Sequence, residues 1–103
     1  MAAPTLVAAA KPSTTYVVHL LDNGTFEPSQ IRAPSGRLVE LVLVGDSQKH
    51  DFTSRSLNID EDVPPHQVEI IDVQLPGKPG AYAFWSAQPL DEARGMKGEF
   101  SLS

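Results

Sequence analysis

The chain has 103 residues and a formal net charge of −5 at pH 7, with no basic run, so nucleic acid and anionic membrane surfaces are poor partners for it. That length supplies one hydrophobic core rather than two, and no apolar run is long enough to cross a bilayer. Cysteine is absent, which removes disulfides, thiolate metal ligands and cysteine nucleophiles together.

Residues 1–15 are small, Pro-bearing and low in complexity, without the basic and apolar regions of an intact signal peptide. They are expected to form a flexible leader, with one domain over 16–103. Two origins stay open for the leader: the start of a mature exported protein, or a linker from a membrane anchor.

The first expected strand is Tyr16 to Leu21, closed by an Asp22-Asn23-Gly24 turn. Phe26 and Ile31 are expected to plug the core, while Pro28 keeps this piece off any central strand. Arg37 to Val44 is the strongest strand signal. Its nearly continuous apolar run predicts a strand covered on both faces. A turn at Gly45–Gln48 leads to Lys49-His50-Asp51-Phe52-Thr53. Leu57 to Pro65, with Asp60, Glu61 and Asp62, reads as an acidic connection, and Gln67 to Leu75 as the next strand.

The final stretch reads as strand, loop, strand. Tyr82, Phe84 and Ser86 alternate with Ala81, Ala83 and Trp85; the loop holds Pro89, Asp91, Glu92 and Gly95; a last strand runs from about Lys97 to Leu102. No segment keeps a helical period over three turns, although one short turn fits near Leu57 or Leu90. Short strands parted by Gly and Pro turns predict an all-β sandwich with Greek-key links.

This last hairpin resembles that of the cupredoxins, the blue-copper fold, over residues 16–102. In that family "GxYxFxC" precedes the ligand loop and "GMxGxF" follows it. This chain has Gly80-Ala-Tyr-Ala-Phe-Trp-Ser86 and Gly95-Met-Lys-Gly-Glu-Phe100. The segment Phe26 to Gly36 is similar to the "FxPxxIxAPxG" of bacterial members. His50, in "xHxF", stands where the resemblance puts the first His ligand. Rusticyanin- and auracyanin-like members space the other ligands as C-x4-H-x4-M. Here the frame is Ser86-x4-Asp91-x4-Met96, with Cys and one His replaced.

The resemblance therefore implies a cupredoxin-like Greek-key β-sandwich whose metal positions are His50, Ser86, Asp91 and Met96. A serine hydroxyl cannot stand in for a thiolate. One imidazole, one carboxylate and one thioether favour no single metal, so type 1 copper is not expected, while weak copper or zinc binding stays open. Each residue also has a plainer role. His50 closes a loop by bonding its ring to the backbone, Met96 packs in the core, Asp91 is a solvated loop tip or helix-starting acid, and Ser86 is a polar strand end. His19 and His66 match no ligand position and are expected at the surface, and Tyr82 and Trp85 in the core or at its rim. Ser86, His50 and Asp91 are also the residue types of a hydrolytic triad, but no G-x-S-x-G elbow or oxyanion loop accompanies them, and no enzyme is expected.

The implied function is an extracytoplasmic binding or structural module with a degenerate copper site, meeting a protein partner at the loops around His50, Pro89, Leu90 and Met96. The alternative is a copper-binding or electron-transfer protein using His50, Asp91 and Met96.

Overall fold

The computed structural model describes Pro12 and residues 14–103; all but the last residues of the expected leader lie outside them. Among the described residues nine strands run in chain order: β1 (Thr15–Leu21), β2 (Thr25–Glu27), β3 (Gln30–Ala33), β4 (Leu38–Val44), β5 (His50–Ser54), β6 (Ile59–Val63), β7 (Val68–Gln74), β8 (Gly80–Trp85) and β9 (Lys97–Leu102). A single-turn helix, α1 (Pro89–Ala93), sits in the loop between β8 and β9. Thr15 already belongs to β1, one residue before the expected start of the first strand.

The strands form two mixed sheets, ordered β2-β1-β4-β7 and β3-β9-β8-β5-β6. The β1–β4 and β3–β9 pairs are parallel and the others antiparallel. Period-two alternation supplies the core. Val18 and Leu20 from β1, Val39, Leu41 and Leu43 from β4, and Phe84 from β8 are fully buried between the sheets. Phe26, Phe52, Phe84 and Phe100 meet at the centre, with Phe52 stacked on Phe84 at 4.5 Å between ring centroids and Phe26 edge-on to both. A Cβ at Gly98 would lie 2.6 Å from the Phe84 ring and 2.3 Å from the Ser29 carbonyl oxygen, so this glycine lets the last strand approach closely.

Two expectations change. β4 is covered on one face only: Leu38, Glu40, Val42 and Val44 point outward and stay half-exposed. The acidic stretch after Leu57 is not a mere connection. Ile59 and Val63 are buried at the ends of β6, an edge strand whose acids point outward or sit at the rim. Its three consecutive acids hid a pattern anchored at only two positions. Phe26 and Ile31 plug the core and Pro28 lies between edge strands, as the sequence suggests.

Candidate functional site

At one end of the sandwich β5, β8 and the hairpin loop converge. His50 opens β5, Ser86 directly follows β8, Asp91 lies in the first turn of α1, and Met96 directly precedes β9. All four are buried: His50 and Ser86 completely, Met96 at 1% and Asp91 at 2% exposure.

Three of the four share one atom. Asp91 Oδ2 accepts from Ser86 Oγ at 2.7 Å and lies 2.6 Å from His50 Nδ1. Asp91 Oδ1 accepts from Arg94 at 3.3 Å. The other ring nitrogen, Nε2 of His50, lies 3.0 Å from Asp22 Oδ1 in the turn after β1. Both ring nitrogens of His50 therefore face carboxyl oxygens, one on each side of the ring. The result is a chain of ionisable side chains, Arg94–Asp91–His50–Asp22, that enters from solvent, crosses the interior and returns to solvent.

The main chain fixes this arrangement. Asp91 carbonyl oxygen accepts from the Arg94 and Met96 amides, closing the loop around α1, and the Ser86 amide bonds the Met96 carbonyl oxygen. Asp51, also buried, accepts from the Ala87 amide at 2.7 Å and from the Gln88 side chain, and its own amide donates to Ser86 Oγ. Gly24, at φ 86°, brings the β1–β2 turn against the Arg94 side chain, where a Cβ would sit 3.2–3.3 Å from Arg94 atoms. Asp22 is held in turn by the Ser47 hydroxyl and by the Ser47 and Gln48 amides. These contacts depress its carboxyl from the usual 3.8 to about 2. The Ser47 hydroxyl is the largest cause; burial opposes it, and His50 adds to it.

The plainer roles expected for these residues are partly overturned. His50 bonds two carboxylates rather than the backbone. Asp91 is a helix-starting acid, but a buried one, not a solvated tip. Ser86 is a polar strand end bonded to its neighbours, and Met96 packs in the core. His19 and His66 are exposed, and Tyr82 and Trp85 lie at the rim. The sequence reading missed Asp22, Asp51 and Arg94; the one available signal was the Asp22-Asn23-Gly24 turn itself.

The geometry does not assemble a hydrolytic triad. The Ser86 hydroxyl donates to Asp91 rather than to His50, and it is fully buried. Nor do the donors fit a type 1 copper. There is no thiolate, both His50 nitrogens face carboxylates on opposite sides, and Asp91 Oδ2 already serves two donors. Among the described residues no group of three or more His, Cys, Asp or Glu is placed to hold a metal ion.

A sequence profile of the cupredoxin-like domain matches residues 1–96. The chain belongs to the cupredoxin-like domain family. Solved structures share its fold. Auracyanin B is 15% identical with a TM-score of 0.77, covering 91% of each chain. Reduced auracyanin from the photosynthetic bacterium Roseiflexus castenholzii is 18% identical with a TM-score of 0.72, covering 90% of this chain and 99% of that one. A chain from a heme-copper terminal oxidase dimer is 16% identical with a TM-score of 0.70, covering 87% of this chain and 65% of that one. Comparison with curated protein sequences returned no match. Within this cupredoxin-like domain a hydrogen-bond and ion-pair network joins Ser86 and Asp91 to His50.

Proposed function

We propose that this cupredoxin-like domain works without type 1 copper, as a non-catalytic binding or structural module outside the cytoplasm. The observation that carries this reading is Asp91. Its carboxylate ties Ser86 and His50 together through one oxygen, so the ligand positions are tied by hydrogen bonds and charge and do not need a metal to hold them. A protein partner at the same end is in keeping with Leu90, which is 64% exposed beside exposed Pro89, and with the occurrence of this fold in a chain of a terminal oxidase dimer. Among the described residues no helix is long and apolar enough to cross a membrane.

Metal titration tests the reading. Cu(II) added to the purified chain is expected to produce no intense visible absorption and no one-to-one complex. Ser86→Cys combined with Asp91→His restores the spacing of thiolate and imidazole beside His50 and Met96, and is expected to bind one Cu(II) with strong colour. A stoichiometric complex of the native chain that His50→Ala abolishes would instead establish the altered copper site built on His50, Asp91 and Met96.

A further inference from the structure

The outer face of the β2-β1-β4-β7 sheet is apolar where it meets solvent. Register places Val17, Val42 and Ile70 side by side across β1, β4 and β7, and Val44 opposite Val68 one step along. Val17 is 47% exposed, Val68 53% and Ile70 61%. Scattered exposed apolar residues need no explanation, but a contiguous row across three strands does. Charge borders it. Glu40 and Asp72 sit directly opposite each other on β4 and β7, a like-charge cross-strand pair that costs stability. Thr15 donates to Glu40, but among the described residues neither carboxylate meets a cation. Glu27 lies at the far side, opposite His19. The outward positions of these four strands carry no lysine or arginine.

We propose that this face docks a protein surface that is apolar at its centre and bears lysine or arginine at its rim. Each feature suits that occupant. The valine and isoleucine row supplies the dry centre, and a cation from the partner relieves the Glu40–Asp72 repulsion. A second copy of this chain would bring the same carboxylates and a further net charge of −5, so its charges oppose association. The face lies on the sheet surface, apart from the hairpin loops, and is independent of the reading above.

The test uses a synthetic leucine–lysine peptide with its leucines on one side, titrated into isotopically labelled protein and followed by amide chemical shifts. Shifts are expected at Val17, Val42, Val44, Val68 and Ile70. Ile70→Asp is expected to weaken binding about tenfold or more, and so is Glu40→Lys with Asp72→Lys; both variants keep the native melting temperature within a few degrees. Added salt weakens binding, and a leucine–glutamate peptide does not bind there. Shifts confined to the Asp60–Asp62 edge, or none at this face at millimolar peptide, overturn the proposal. So does charge reversal without effect. Shifts that move with protein concentration alone assign the face to a second copy. Shifts that change on deleting residues 1–13 assign it to the leader. Either result overturns the proposal as well.

Discussion

The hairpin end and the β6–β7 edge both gather carboxylates, and the two regions treat them in opposite ways. At the hairpin end each acid meets a cation or a donor: Asp91 has Arg94, His50 and Ser86, and Asp22 has His50 and Ser47. At the edge, Glu61 has Glu69, Asp62 and Asp60 as its charged neighbours. Burial first, and then these three, push its carboxyl above the usual range. The same side chain therefore supports the fold in one place and strains it in the other, according to what faces it. The strain has a use: acids along an edge strand oppose pairing with another chain.

Breaking the hairpin-end network is expected to have the largest effect. Asp91→Ala leaves the buried His50 ring without its Nδ1 partner beside a Ser86 hydroxyl without its acceptor, and should cost about 3–5 kcal/mol in urea unfolding. Adding His50→Leu should recover part of that loss, because the unpartnered ring goes with it. If the two substitutions simply add, the pair is not coupled as the distances indicate.

Acid is the next lever. Asp22 titrates below its ordinary 3.8, at about 2, so its stabilising effect is complete above about pH 4 and is lost as pH falls towards 2. A thermal-unfolding series across that window should fall less steeply for Asp22→Asn than for the native chain. Glu61 has the opposite sign. Its raised carboxyl makes ionisation unfavourable in the fold, so Glu61→Gln should stabilise at pH 7, by less than about 1 kcal/mol, read from the denaturant midpoint. A loss of stability in Glu61→Gln would remove the contrast between the two regions. The smallest effect is expected at Leu90. Leu90→Asp should move stability within about 0.5 kcal/mol, since the side chain is largely in solvent; unfolding by this variant would place Leu90 in the core and end its use as a docking residue.

Much of this was legible from residues alone. The hairpin frame was readable because turn chemistry and ligand spacing are local. Gly80, Gly95 and Gly98 punctuate it, and the last strand runs from Lys97 to Leu102 as read. The four site positions were nameable for the same reason. What Asp91 does was not readable, because burial depends on what packs over the loop, and that includes the distant Gly24 turn, which lies against the Arg94 side chain. Asp22 looked like a turn residue and is one; its second role needs the fold that brings it to His50. β4 misled in another way. Its outer valines look like core in one dimension, and only the sheet order leaves them facing solvent.

The pairing of β3 with β9 has a consequence for how the chain is made. Among the described residues β3 forms its one sheet pairing with β9, about seventy residues later. At roughly 5–20 residues per second, a ribosome needs some 4–14 seconds to deliver that partner. Until then β3 and the β9-facing side of β8 have no backbone partner from the finished sandwich, whereas every strand of the opposite sheet, β2-β1-β4-β7, precedes β9 in the chain. The β3-β9-β8-β5-β6 sheet therefore cannot close before the six-residue β9 is made, and until then β3 and one side of β8 are open strand edges of the kind that invite misassociation.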